Sequence, residues 1–376
     1  MPSAKGTFFF LSLLLFLAAP AWAAAPLPKS TQEMLKKLKL PASFLGDIDR
    51  ELEVPKDWLE RAKKEGKVRF SSTEEPEPAK IMLAPFRERY PFITVEPIQT
   101  TRDDRVKTLI AYKRGKILTD VQDAIGGILG GFIESNGLVD LRDIPGLKNL
   151  PDEAKDPNGL WVGTESGYRC VGYNTKLMKK EDLPRRWEDL PGISRLKGGN
   201  LALGNRPELW VMNLWDAKGE KWTRDFLTRL FAELKPQLRK EGMNALHQLL
   251  AAGEFHAFIP AGEDSTHELL LQGAPVSFTC PEPAPRTVRQ LAILKGAPNL
   301  YAAKIFLNWL LSKEGQIAKH VGKGALPIHK DMMRPEFVPF QDQILGKAVS
   351  WPPRNEQEIQ PKLNEVWNQL WLRGGR

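Results

Sequence analysis

The sequence lacks the signatures that would identify an enzyme at once. It contains no Gly-x-Ser-x-Gly elbow, no His-Glu-x-x-His pair and no phosphate-binding loop, the patterns typical of common hydrolases, zinc enzymes and nucleotide-binding proteins. Its five histidines stand at no recognised spacing. An exported enzyme therefore remains only an alternative, since a nucleophile and its base can be distant in sequence.

Long apolar runs are absent except at the amino terminus. We predict a signal peptide over residues 1–23. Its positive start is Lys5, its apolar run is Phe8–Ala19, and its small-x-small cleavage site is Ala21-Trp22-Ala23. The run is too short to span a bilayer comfortably, and no cysteine follows the cleavage site. We expect an exported, periplasmic protein without a lipid anchor.

Cysteine is scarce, and charge of one sign does not dominate. Two cysteines, Cys170 and Cys280, exclude a disulfide-dense scaffold. The formal net charge is +8, but the lysines and arginines are scattered among acids, so we expect no nucleic-acid partner. A mild positive field suits a small anionic ligand.

What is present is an alternation of strand and helix patterns. Strands over 67–71, 93–98 and 120–125 each precede a helical pattern, and a second set runs from 199 to 280, which predicts an α/β fold with mostly parallel sheet. The 353 residues after the signal peptide suffice for about two domains. Residues 24–54 form an extension that either packs on the outside or moves freely. An amphipathic segment, Trp351–Trp371, ends the chain.

Four stretches resemble the solute-binding proteins of ABC importers, in the cluster that includes ferric-iron, phosphonate, thiamine and polyamine binders. They read KVRFSSTEEPEPAKIMLAPFRERYPFITVEP, ILTDVQDAIGG, YRCVGYNTKLMKKEDLPRRWEDL and AAKIFLNWLLSKEGQ. The resemblance implies a two-lobed, type II binding-protein fold, with a ligand cleft between the lobes. It implies no cofactor, a monomer, a small-molecule ligand and transient contact with an inner-membrane permease. The sequence does not distinguish a role in transport from a role in sensing.

The resemblance also implies an arrangement of domains along the chain. Lobe one is expected over 55–168 and 281–340, lobe two over 169–280, and a helical tail over 341–376. The chain would cross between lobes near Tyr168–Asn174 and return near Val276–Cys280. Cys170 and Cys280 would then lie on neighbouring crossing strands, where a disulfide is one of two open outcomes.

In such a fold the ligand lies where strand ends and helix starts converge. In lobe one we expect it at Ser71, Ser72 and Thr73, at Arg102, and at Gly126 and Gly127. The hydroxyls could instead cap a helix, Arg102 could pair with Asp103 or Asp104, and the glycines could form a simple turn.

The corresponding candidates in lobe two also follow strands. They are Asn205 and Arg206 in LGNRPELW, Gly262 and Ser265 in IPAGEDSTHE, and Arg169 on the crossing strand. Asp264 more readily caps its helix, and Arg169 could be a surface residue of the hinge.

These residues favour a small anionic organic solute, because hydroxyls, arginines and helix starts all suit an anion. Ferric iron or another metal is the alternative. Ferric binders of this cluster use adjacent tyrosines, whereas none of the five tyrosines here is adjacent to another. His256 and His267 are eleven residues apart, a poor metal motif.

Overall fold

The computed structural model describes residues 26–374, so the predicted signal peptide lies outside the described residues. The strands are β1 (Lys67–Ser72), β2 (Thr94–Gln99), β3 (Val121–Asp123), β4 (Val162–Asn174), β5 (Leu201–Gly204), β6 (Gln237–Arg239), β7 (Ala257–Gly262), β8 (Val276–Thr279), β9 (Ala284–Ile293) and β10 (Val349–Ser350).

The α-helices are α1 (Lys29–Lys37), α2 (Ile48–Glu51), α3 (Lys56–Glu65), α4 (Pro76–Arg89), α5 (Arg102–Lys113), α6 (Leu129–Glu134), α7 (Val211–Lys218), α8 (Glu220–Leu234), α9 (Met243–Ala252), α10 (Glu263–Leu271), α11 (Leu300–Leu310), α12 (Lys313–Lys323), α13 (Gln341–Ile344) and α14 (Glu356–Gly374). Helices α4 and α5 begin at residues that favour a helix start. Pro76 opens α4, and Thr101 caps α5 by accepting from the backbone N–H of Asp104.

The sheet joins two parallel sets of strands through an antiparallel centre, in the order β2-β1-β3-β9-β4-β7-β5-β6. β1 lies parallel to β2 and β3, while β5 lies parallel to β6 and β7. We call the part built around β1–β3 lobe one and the part built around β5–β7 lobe two. The prediction of an α/β fold with parallel strands in each half is confirmed.

Two long strands, β4 and β9, run between the lobes. The first half of β4 pairs with β9 as far as Tyr168, opposite Arg286; from Arg169 onward it pairs with β7. We propose this switch of partners as the boundary between the lobes, where the sequence also placed it. The expected return near Val276–Cys280 falls on β8, which pairs with the lobe-two half of β4. With this boundary, we propose that the chain returns on β9, which the sequence pattern did not indicate as a strand.

Cys170 and Cys280 form a disulfide between β4 and the residue that follows β8. Their Cα atoms are 5.0 Å apart, the two positions are separated by 110 in sequence, and both side chains are fully buried. The bridge therefore ties the start of the lobe-two half of β4 to the end of β8.

The amino-terminal extension packs against lobe one. Met34 and Leu35 on α1 and Ile48 on α2 join the lobe-one core. The hydroxyl of Thr31 donates to buried Glu314 at 2.7 Å, and Arg89 reaches the same carboxylate with two bonds of 2.8 Å. The extension thus packs on the amino-terminal end of α12.

The carboxyl-terminal helix α14 packs against lobe two. Ile359, Leu363, Val366 and Trp367 enter the lobe-two core, where Trp367 lies against Trp210 at a ring distance of 6.5 Å. Before it, β10 pairs with the start of β9. The tail is therefore part of the lobe-two fold.

Candidate functional site

The hydroxyls at the end of β1 divide into two buried residues and one that faces the space between the lobes. The hydroxyl of Ser71 lies 3.3 Å from that of Thr100, and the Ser72 hydroxyl accepts from the Glu74 backbone. Thr73 is half-buried and accepts a bond of 2.5 Å from Arg289. Ser71 and Ser72 therefore support the strand end, whereas Thr73 presents its hydroxyl to a cation.

Arg289, on β9, is the centre of a dense ionic cluster. It lies 2.7 Å from Asp123 at the end of β3, 3.4 Å from Glu74 and 3.7 Å from Glu165 on β4. These carboxylates outweigh burial and raise the pKa of the Arg289 guanidinium. Arg289 therefore stays charged at every physiological pH.

Two lysines from α12 complete this cluster. Lys319 reaches Glu165 at 2.7 Å, and Lys323 bridges Glu74 at 2.8 Å and Glu165 at 3.0 Å. The bulge in β4 between Gly163 and Ser166 contains Glu165. We call these residues the cleft cluster: Glu74, Asp123, Glu165, Arg289, Lys319 and Lys323.

A second charged group stands on the lobe-two side. Arg169 on β4 lies 3.4 Å from Glu263 and 3.5 Å from Asp264, both in the first turn of α10. Glu263 is fully buried and accepts from the Tyr168 backbone at 2.7 Å. Burial, with the nearby charge of Asp264, raises the pKa of Glu263 to about 8. At neutral pH this carboxyl is therefore mainly protonated, and Arg169 pairs with Asp264.

An open cavity of about 1060 Å³ lies between these two groups. Thr73, Glu74 and Lys323 line it from lobe one, and Asp264 and Ser265 line it from lobe two. We call it the interlobe cavity. It is large enough for a small-molecule ligand, since such sites occupy about 300–1000 Å³.

Four predicted site residues converge here. Thr73 and Ser265 line the cavity, Arg169 contacts its wall residue Asp264, and Gly262 comes so close to Arg169 that a Cβ there would lie 2.7 Å from the guanidinium. A side chain at 262 would displace Arg169, which gives the glycine a steric role.

The other candidates lie elsewhere or have partners of their own. Arg102 is exposed at the start of α5, and Gly126 and Gly127 are exposed after β3. The carboxamide oxygen of Asn205 accepts from Trp367 on α14 at 2.8 Å. Arg206 pairs with Glu208 at 3.6 Å. None of these five lines the interlobe cavity.

Sequence reasoning missed all six residues of the cleft cluster. Asp123 ends β3 and Glu74 lies two residues after β1, so the position of each near a strand end was a signal that could have found it. Arg289 stands on a strand that was not predicted, and Lys319 and Lys323 belong to a helix with an ordinary amphipathic pattern. Their roles depend on tertiary contacts alone.

Within residues 26–374, no three His, Cys, Asp or Glu side chains converge as metal ligands would. In the same part of the chain, no helix is long and apolar enough to cross a membrane.

Fold and cavity together define a two-lobed α/β binding protein. The fold is similar to that of iron-bound HitA from Pseudomonas aeruginosa, with a TM-score of 0.64 and 19% identity over 80% of this chain and 99% of that one. It is also similar to AfuA from Actinobacillus pleuropneumoniae with fructose-6-phosphate bound, with a TM-score of 0.61 and 19% identity over 80% and 97% of the two chains. Both are periplasmic binding proteins of type II, so the predicted fold is confirmed.

The family follows from the sequence match. The model of the bacterial extracellular solute-binding protein family matches residues 82–343, well over half of the chain, which therefore belongs to that family. An uncharacterized protein from Haemophilus influenzae is 32% identical over 169 residues, a match that spans only 40% of this chain and 44% of the relative. The chain is thus a bacterial extracellular solute-binding protein.

Proposed function

We propose that this protein binds a small organic anion in the interlobe cavity and delivers it to an inner-membrane permease. The cations on the lobe-one side carry the proposal, namely Arg105, Arg289 and Lys323. Arg289 donates to the hydroxyl of Thr73, Thr73 and Lys323 line the cavity, and Arg105 lies near Arg289.

Arg105 is the cation without a carboxylate of its own. It is half-buried on α5, and within residues 26–374 its nearest carboxylates, Asp123 and Asp104, act on it as nearby charges without forming an ion pair. Burial, with the nearby charge of Arg289, lowers its pKa. An anion bound beside these two guanidinium groups would relieve their repulsion and gain charge-assisted hydrogen bonds.

Two helix starts support the same ligand class. Pro78, in the first turn of α4, and Ser265, in the first turn of α10, both line the cavity. The positive end of the helix dipole favours anions at both positions, although Pro76 and Pro78 leave the start of α4 with few backbone N–H donors. Glu74 and Asp264 would accept hydrogen bonds from hydroxyl or amine groups of the same solute.

Ferric iron is a weaker candidate on the chemistry of the donors. HitA is similar in fold and is iron-bound, but no tyrosine is among the residues that line the cavity here, and the carboxylates of Glu74 and Asp264 are each engaged by a cation. AfuA, similar to the same degree, binds an organic phosphate, which supports the proposed class.

Binding would bring the walls of the cavity together, because Thr73 and Ser265 belong to different lobes and could then contact one solute. The closed form would be the one presented to the permease. We further propose that the protein acts as a monomer and that its contact with the permease is transient.

A thermal-shift screen of the mature protein tests the proposal. The probes are phenylacetate, citrate, glucose 6-phosphate, a phosphonate, spermidine, thiamine and ferric chloride. A ligand at a hundred times its dissociation constant adds about 2.7 kcal/mol to the free energy of unfolding, which is readily seen. Shifts with organic anions support the proposal, whereas a shift with ferric chloride or a cation alone contradicts it.

A further inference from the structure

The interlobe cavity is lined by apolar and aromatic residues as well as by charged ones. Residues 335–341 run along the cavity between the two lobes. In this segment Phe337 packs edge-on against His320 of α12 at 5.3 Å, and Phe340 packs edge-on against His267 of α10 at 5.8 Å. The segment thus connects both lobes and covers one side of the cavity.

This segment and its two histidine contacts carry no formal positive charge at neutral pH. Burial lowers the pKa of both His267 and His320, so both rings are neutral there. The apolar lining consists of Pro78, Leu271, Val321, Pro335, Phe337, Val338, Pro339 and Phe340. The cavity therefore combines an apolar and aromatic surface with charged residues.

Leu271 leaves much of this apolar surface uncovered. It lines the cavity at the end of α10, and 75% of its surface is exposed. Binding becomes more favourable when the ligand removes such apolar surface from water. A bare ion or a fully hydrophilic solute would leave the apolar surfaces of Leu271 and Pro339 in contact with water.

The rim adds a constraint on the charge of the solute. Glu75, Glu268 and Glu336 line the cavity and are exposed. A solute with several negative charges would bring some of them near these carboxylates, whereas one with a single acidic group could place it beside Thr73 and Lys323.

We propose that the interlobe cavity selects an amphipathic organic monoanion. Its acidic group faces Thr73 and Lys323, and its apolar body lies against Leu271, Pro339 and Phe340. This inference rests on the proposed function and narrows its substrate class. Small-molecule sites commonly combine such an apolar lining with a few fixed polar groups.

Titration calorimetry with acetate, butyrate, hexanoate, octanoate and phenylacetate tests the inference, with citrate and glucose 6-phosphate as hydrophilic probes. Each methylene buried in the cavity should tighten binding by about fourfold, so affinity should rise along the series. If citrate or glucose 6-phosphate binds and chain length has no effect, the inference fails and the proposed function stands. If none of these anions binds, both fail.

Matched leucine variants give a second readout. Leu271→Ser should weaken octanoate binding by about five- to tenfold and leave acetate unchanged, because only the longer chain reaches that surface. Leu270→Ser is the control, since Leu270 is also exposed on α10 but does not line the cavity. Equal effects of both variants, or no effect of Leu271→Ser, would overturn the apolar contact.

Discussion

Glu263 is a fully buried carboxyl at the start of α10, and replacing it by glutamine should make the protein less sensitive to rising pH. The carboxyl accepts from the Tyr168 backbone and lies 3.4 Å from Arg169. Its pKa is raised to about 8 by burial and by Asp264, against a usual value of 4.5. Glutamine has the shape of the protonated acid and keeps an acceptor for Tyr168.

The sign and size of the effect follow from the protons bound in each state. Between about pH 4.5 and pH 8 the folded protein keeps the proton on Glu263 that the unfolded chain has lost. The free energy of unfolding therefore falls by up to about 1.4 kcal/mol for each pH unit as pH rises through this window. This contribution is fully present below pH 4.5 and is lost by about pH 8. The Glu263→Gln variant has no such proton to retain.

Urea unfolding of both proteins at pH 5, 6.5 and 8 measures this difference. The free energy of unfolding of the variant relative to wild type should rise steadily with pH, by about 4 kcal/mol at most between pH 5 and pH 8. Glu268→Gln, on the exposed side of the same helix, is the matched control for loss of a carboxylate. Parallel pH curves for wild type and Glu263→Gln would refute a neutral, buried Glu263.

Three further changes test other parts of the structure. Thr73→Ala should weaken binding of an organic anion by about 1–3 kcal/mol, because it removes the hydroxyl that lies beside Arg289. Titration calorimetry measures this loss. Thr228→Ala is the control and should leave the affinity unchanged, since the Thr228 hydroxyl bonds to the backbone of its own helix, α8. Glu314→Gln should destabilise the fold by about 3–5 kcal/mol in urea, since it breaks the buried pair with Arg89, whereas Glu233→Gln in an exposed pair should cost under about 1 kcal/mol. Reduction of the Cys170–Cys280 bridge should lower the free energy of unfolding by about 2–4 kcal/mol, and an unchanged urea midpoint would contradict that.

The strand and helix order of each lobe could be predicted because local signals agree with the fold. β1 ends at Ser72 and α10 begins at Glu263, within one or two residues of the positions that periodicity and helix-start residues indicated. The same signals located Thr73 and Ser265, which follow strands at the edge that faces the other lobe. Such positions are fixed by backbone direction, which the sequence pattern reveals.

The rest of the site depends on contacts between distant parts of the chain. β9 is buried at both ends and half-buried in the middle, so it shows no alternation to mark it as a strand, and Arg289 stays unnoticed. Asn205 has the sequence context of a site residue, but its side chain accepts a hydrogen bond from Trp367, which lies 162 positions later in the sequence. Contacts of this kind follow from tertiary packing, and the neighbouring residues in sequence do not indicate them.

The central claim is that an organic anion is held between the two lobes and draws them together. Spin labels at Glu77→Cys on α4 and Leu270→Cys on α10 would report the separation of the lobes, because both sites are exposed on opposite lobes, neither lines the cavity and the native cysteines are paired. The distance between labels should shorten and its distribution should narrow when the anion with the largest thermal shift is added at saturation. An unchanged distance with that anion bound would contradict the account.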